Sequence, residues 1–293
     1  MSDKAAVPPF DVTRVRAQAA RIRVSILKML TAAGSGHPGG SLSAADILAT
    51  LFFAPVLEYR AEELDWPERD RFILSKGHAA PVLYATLAQM GIIPEEELLT
   101  LRKLGSRLQG HPDARRLPGV EVSTGSLGQG LSISSGLALG LRQDFELGIK
   151  ARLPQVITVL GDGELQEGQV WEAAQFAAKY RLDNLTAIVD RNMLQIDGAT
   201  EEVMPLGDVA AKFSSFGWEA IEVDGHEVEA IYAACTKPRE SGGPRVIVAH
   251  THKGEGVSFM RDDADWHGKA PSEEQCALAC GEICSCGDWK DEL

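Results

Sequence analysis

The stretch from Gln155 to Asn192 restricts what this chain can fold into more than any other. Gln155-Val156-Ile157-Thr158-Val159-Leu160 is short, apolar and β-branched, and it breaks at Gly161-Asp162-Gly163, the pattern of a buried strand entering a tight turn. Glu167 to Tyr180 spaces its apolar residues for a helix, and Leu185 to Val189 is a second β-branched run that ends in Asp190-Arg191-Asn192. A strand, a helix and a strand in that order form a crossover between parallel strands. Both strands then finish on one edge of the sheet, where Asp162 can meet Asn192.

The turn is rich in glycine and acid but has no lysine. A phosphate-cradling loop brings a Lys after its glycines, and a dinucleotide loop needs G-x-G-x-x-G, whereas this one reads Gly161-Asp162-Gly163-Glu164. An acid beside a phosphate requires a cation between them. A hard divalent cation takes oxygen ligands, and a carboxylate from one loop with an amide oxygen from the next leaves positions for diphosphate oxygens and water. A lone Gly-Asp-Gly is more often an ordinary turn. The placement of Asn192 at the end of the next strand shifts the balance toward a metal-bridged phosphate.

Other loops carry chemistry at the same edge. Asp11 to Ala33 has helical periodicity and ends in Gly34-Ser35-Gly36-His37-Pro38-Gly39-Gly40; Ser41 or Ser43 can cap the next helix, which runs from Ala44 to Phe53. Arg71 to Leu74 reads as a strand with Ser75-Lys76-Gly77-His78 at its carboxyl end, and a helix follows from Ala79. Open α/β sheets bind ligands at that edge. Gly125-Ser126-Leu127-Gly128-Gln129-Gly130 is a second glycine turn opening an apolar helix. Of seven histidines, His37, His78, His111 and His267 lie in Gly- or Pro-flanked loops, while His226, His250 and His252 read as structural.

Four further blocks accompany the Gly-Asp-Gly unit, which has 28 residues between Gly163 and Asn192. They are "AAGSGHPGGSLSAADILATLFF" (32 to 53), "RDRFILSKGHAAPVLYATLAQMG" (69 to 91), "LQGHPDARRLPGVEVSTGSLGQGLSISSGLALG" (108 to 140) and "WHGKAP" (266 to 271). In content and order they resemble the N-terminal, diphosphate-binding part of transketolases, over roughly residues 10 to 271. The resemblance implies an α/β fold, a parallel sheet flanked by helices on both faces, with residues 1–271 as the diphosphate-binding domain. It implies thiamine diphosphate with Mg2+, or Ca2+ or Mn2+, as cofactors, and transfer of a two-carbon ketol group between a ketose and an aldose, both as sugar phosphates.

Site roles follow from the same resemblance. His37 and His267 are implied as proton-transfer groups near the acceptor oxygen, and His111 as a binder of donor hydroxyls. His78, Lys76 and Lys253 are implied near the diphosphate, with the backbone of Gly163. Gly125 and Leu127 offer backbone groups to the aminopyrimidine. Asp162, Asn192 and the carbonyl of Leu194 form the protein's share of the metal shell. Glu167 belongs to a carboxylate network across a subunit interface in that family, though an acid opening a helix is also favoured by the dipole alone.

The activating glutamate and the pyrimidine-binding domain of a complete transketolase are not legible in these 293 residues. The expectation is one subunit of a split transketolase, paired with a second polypeptide, in a heterotetramer. The alpha subunit of a 2-oxo-acid or acetoin dehydrogenase shares the Gly-Asp-Gly unit but is not expected to carry the histidine blocks. An inactive cofactor-binding remnant would have no need of four loop histidines.

The formal net charge of −13 without a basic block argues against nucleic acid as a partner. No run approaches about 18 apolar residues and "MSDKAAVPPFDVTRV" lacks an apolar signal core, so the expectation is a cytoplasmic protein away from membranes. The terminal Lys290-Asp291-Glu292-Leu293 matches a retention signal read only in a compartment this chain has no evident means of entering. Cys276, Cys280, Cys284 and Cys286 crowd residues 272–293; their spacing lacks the C-x2-C of zinc sites, and a weakly constrained tail of unreadable role is expected.

Overall fold

The computed structural model describes residues 10–285. Helix α1 (Val12–Ala33) is capped by Asp11, whose carboxylate accepts from Arg14 N at 3.1 Å, and stops at Gly34 in the left-handed conformation. Helices α2 (Pro38–Ser43) and α3 (Ala45–Phe53) follow, then β1 (Arg71–Leu74), α4 (Ala80–Gln89) and α5 (Gln129–Glu146). The central crossover is β2 (Val156–Gly161), α6 (Gly168–Lys179) and β3 (Leu185–Arg191). A small antiparallel pair, β4 (Leu194–Gln195) and β5 (Gly198–Ala199), leads to α7 (Thr200–Val203) and α8 (Val209–Ser215). The described chain closes with β6 (Glu219–Asp224), α9 (Val228–Thr236), β7 (Arg245–His250) and α10 (Glu273–Ser285).

The sheet order is β1-β2-β3-β7-β6, all parallel. Alternation along the strands feeds two cores. Phe72, Leu74, Ile157, Val159, Ile188 and Ile247 pack with residues of α1, α3, α4 and α9 on one face. Val156, Leu160, Ala187, Val189, Val246 and Val248 pack with residues of α5, α6 and α8 on the other. Strands covered on both faces need the near-continuous apolar sequences that β2, β3 and β7 have. The expected α/β layering, with helices on both faces, is what the chain forms.

Three expectations change. The helix after His37 begins at Pro38, because Pro tolerates a first-turn position where its missing N–H has no partner. Ser41 and Ser43 are therefore inside α2, not caps: Ser41 Oγ donates to the His37 carbonyl at 2.6 Å, and Ser43 Oγ reaches Asp190. Strand β6 was not legible, since Glu219, Glu222 and Asp224 alternate along a half-exposed edge. Residues 273–285 are a helix, not a loose tail: Cys276, Ala279 and Ile283 make an apolar stripe buried in the α1 core, and Glu282 accepts from Ser258 N at 2.7 Å. Cys286 and the terminal tetrapeptide lie outside the described residues.

Helix α5 meets the end of β1 with no room to spare. A Cβ on Gly130 would stand 2.2 Å from Ser75 Oγ and 2.7 Å from Ser75 Cα. Gly130→Ala is therefore expected to cost about 3 kcal/mol or more, the upper end for overpacking, as measured by urea denaturation. A loss under about 1 kcal/mol would show that the start of α5 shifts freely.

Candidate functional site

Every strand of the main sheet ends on the same edge, and each ending leads into a polar loop. β1 delivers Ser75-Lys76-Gly77-His78, β2 delivers Asp162, β3 delivers Asp190 and Asn192, and β7 delivers Thr251-His252-Lys253. The α1–α2 turn brings His37 to this edge, and the short 3-10 turn Ala264–His267 brings His267.

Three imidazoles meet there. Ring centroids lie 5.3 Å apart for His37 and His78, 5.4 Å for His37 and His267, and 5.4 Å for His78 and His267. Lys253 Nζ donates to His267 Nδ1 at 2.8 Å and to the Leu194 carbonyl at 3.1 Å. The first bond requires an unprotonated Nδ1, so His267 carries its proton on Nε2. Burial, then the Arg102, His111 and Lys253 charges, lowers His37 to about 4. Burial and Lys253 bring His267 to about 3, while burial and Lys76 hold His78 well below the usual histidine range. Burial also brings Lys253 down to about 8, with Lys76 adding to the effect.

These bases bind fewer protons folded than unfolded between pH 6.5 and about 4, so stability falls as pH drops through that window. Without cofactor, the thermal midpoint is expected to be lower at pH 5 than at pH 7. His37→Gln should remove part of the drop, and an equal drop in the variant would contradict the neutral burial of His37.

The Gly-Asp-Gly turn sits beside this cluster. Asp162 is 2 % exposed; its Oδ1 accepts from Gly163 N at 2.8 Å and its Oδ2 from Met193 N at 2.7 Å and Arg191 at 3.3 Å. Burial, then neighbouring Asp190, raises its carboxyl to about 6 against the pull of Arg191. Met193 takes a left-handed φ of 65°, turning the chain so that Asn192 Oδ1 accepts from Leu194 N at 3.2 Å. Hydrogen bonds from Met193 N and Leu194 N thus hold Asp162 and Asn192 against one turn. Among the described residues no three His, Cys, Asp or Glu side chains cluster as a metal site. The set here is of another kind, one carboxylate, one carboxamide and one carbonyl, and two of its oxygens already attract the cations Arg191 and Lys253.

Glycines make room for these groups. A Cβ on Gly125, at φ 137°, would lie 2.7 Å from the His111 ring, and one on Gly39 would lie 2.9 Å from Lys253 Cγ. His111 itself lies open to solvent on one side, its value lowered by partial desolvation of the ring and then by Arg102.

Two buried acids were missed in the sequence. Asp190, 0 % exposed, accepts from Ser43 Oγ at 2.6 Å, from Lys76 Nζ and from Thr251 Oγ1, so one carboxylate ties three loops of the site together. Glu164 accepts from Ser75 Oγ, from Gly128 N at 2.9 Å and from Gly161 N at 3.0 Å. For Asp190 the available signal was an acid near the end of a mostly apolar strand, a place where a charge persists only with partners. Lys76, besides its ion pair with Asp190, donates to the Gly40 carbonyl at 2.8 Å.

Two expected residues stand apart from the imidazoles. Glu167 is exposed at the start of α6 without a side-chain cap bond, against Gly128, and Leu127 is 36 % exposed. The three histidines read as structural each face an acid: His226 Nδ1 lies 2.8 Å from Asp46, His250 Nε2 2.8 Å from Glu222, and His252 Nδ1 2.8 Å from Asp262.

The family described as "Transketolase, thiamine diphosphate binding domain" matches residues 15–282. A 6-deoxy-6-sulfo-D-fructose transketolase subunit of Clostridium sp. (strain MSTE9) is 43% identical over 91% of this chain and 94% of its own. Transketolase of Homo sapiens is 45% identical over 90% of this chain, which spans 41% of that protein. The crystal structure of transketolase from Campylobacter jejuni superposes with a TM-score of 0.87 at 32% identity, covering 94% of this chain and 43% of that one. With these matches over nearly all of its length, the chain belongs to the transketolase family and corresponds to that family's thiamine-diphosphate-binding domain.

Proposed function

We propose that this chain is the diphosphate-binding subunit of a two-polypeptide transketolase, which moves a two-carbon ketol group from a ketose phosphate to an aldose phosphate. The observation that carries the reading is the meeting of His37, His78 and His267 with Lys253 beside a hard-oxygen donor set on one edge of the sheet. The Clostridium relative, of nearly equal coverage in both directions, is itself named as a subunit.

The residues fit the cofactor on two counts. His37 Nδ1 is buried without a hydrogen-bond partner, so the site is built to receive one more polar group. Asp162, Asn192 and the Leu194 carbonyl offer the oxygens that Mg2+, or Ca2+ or Mn2+, would take, in the manner of a metal-bridged diphosphate. The backbone of Gly163 and the side chains of Lys253, Lys76 and His78 would hold the diphosphate. Gly125 and Leu127 would meet the aminopyrimidine through their backbones. When bound, thiamine diphosphate supplies the electron sink for breaking the ketose carbon–carbon bond.

This chain's own part is proton handling and exclusion of water. His37 and His267, both neutral near pH 7, accept or return protons at the carbonyl and hydroxyl oxygens of the sugar, and His111 binds donor hydroxyls. Glu167 would face a carboxylate of the partner. The assembly is read as a cytoplasmic heterotetramer whose second chain carries the pyrimidine-binding domain. Among the described residues no helix is long and apolar enough to cross a membrane. Residues 1–271 are taken as the diphosphate-binding domain, with α10 packed on it.

The test is reconstitution. Affinity capture of the tagged chain from its host should recover a partner of comparable size, and ketol transfer with thiamine diphosphate and Mg2+ should need both chains. Full-rate transfer by this chain alone would end the two-subunit reading, and oxidative decarboxylation of a 2-oxo acid by the pair would favour the dehydrogenase instead.

A further inference from the structure

The site's cations are not alike: Arg191 pairs with Asp162 and Glu201. Lys76 is compensated by Asp190, and Lys253 donates to His267 and Leu194. Arg102 is exposed, and among the described residues its guanidinium has no carboxylate or carbonyl partner, whereas Arg107 in the same loop pairs with Glu97. Arg102 also takes a left-handed φ of 59°, uncommon for a residue with a side chain, and its N–H donates to the Leu108 carbonyl at 2.9 Å, closing a tight loop.

That loop brings the guanidinium close to the chain segments that carry two of the histidines. A Cβ on Gly110 would stand 3.1 Å from Arg102 Nε and 3.2 Å from Cζ, and a Cβ on Gly36 would stand 3.9 Å from Nε. Gly36 and Gly110 immediately precede His37 and His111, so the guanidinium lies against the backbone leading into both, and a side chain at Gly110 would displace it. The charge is felt at both rings. A planar fork of N–H donors with no internal acceptor suits a bidentate oxyanion.

We propose that Arg102 is a specificity-determining residue, whose guanidinium binds the phosphate ester of the sugar that enters past His37 and His111. The proposal rests on the ketol-transfer reading and adds an anion contact supplied by this chain itself.

The reconstituted holoenzyme and its Arg102→Gln variant should be assayed with an aldose phosphate and with the same aldose lacking phosphate. The ratio of the two kcat/KM values is expected to fall about 10- to 100-fold in the variant, the span of a lost hydrogen bond to a charged group, with partial recovery in Arg102→Lys. An unchanged ratio overturns the proposal. Weaker subunit association with an unchanged ratio overturns it too and assigns Arg102 to an acid of the partner. If the wild-type assembly transfers no ketol group, the proposed function fails separately. Calorimetric titration of inorganic phosphate then decides for Arg102: binding to wild type but not to Arg102→Gln supports it, and equal binding rejects it.

Discussion

Asp190→Asn is expected to destabilise the chain by about 3–5 kcal/mol, the cost of leaving a buried charge without its partner. Lys76 is 1 % exposed, and Asp190 is the only carboxylate it pairs with among the described residues. Burial alone would raise the Asp190 carboxyl, yet Lys76, Ser43 and Thr251 together hold it below the usual carboxylate range. The amide would also turn N–H donors toward three groups that are themselves donors. Urea denaturation measures the loss. Adding Lys76→Met should recover part of it, because removing both charges costs less than removing one. A double variant as unstable as Asp190→Asn would show that the ion pair is not the reason.

Asp162→Asn is expected to separate folding from function. Asp162 carries a buried charge whose value is raised by desolvation and by Asp190. Such an acid binds more protons folded than unfolded between pH 4 and about 6, so its charge detracts from stability above that window. Neutralising it should leave the denaturation midpoint without cofactor close to that of wild type, the relieved charge offsetting the weakened bonds to Gly163 and Met193. Stabilisation by Mg2+ with thiamine diphosphate should disappear, and ketol transfer by the assembled enzyme should fall more than about 100-fold, since losing even an outer-shell partner of a metal ligand costs about 10- to 100-fold. Persistence of the magnesium-dependent thermal shift would remove Asp162 from the metal shell.

What could be read in advance were features written along the chain. The β-branched runs of β2 and β3 announced buried parallel strands, and the Gly-Asp-Gly break located the edge where open α/β sheets bind ligands. Strand β6 was hidden because an edge strand half open to water alternates acids with apolar residues and resembles a loop. Asp190 was legible only as a turn former at the end of its strand. Its three partners come from α2, the β1 loop and the β7 loop, and such convergence is a property of tertiary structure. The same holds for Arg102, whose place beside the site depends on Gly110, where a side chain would crowd the guanidinium. The stripe of Cys276, Ala279 and Ile283 was present in the sequence as cysteines that would share a helix face, but nothing along the chain says that this face packs on α1.

The way Asp190 gathers its partners also governs when the site comes into being. Its bonds to Ser43, Lys76 and Thr251 span 147, 114 and 61 residues of chain. Contacts of such long range form late, because each must wait for a large loop to close. A nascent chain that has emerged as far as Asn192 contains Asp162, His37 and Lys76 but not the strand that brings Thr251 and Lys253, so the edge where these loops meet is still incomplete. Once folded, the buried amides of Gly128 and Gly161, both bonded to Glu164, should exchange with solvent about as slowly as the sheet centre, through global opening.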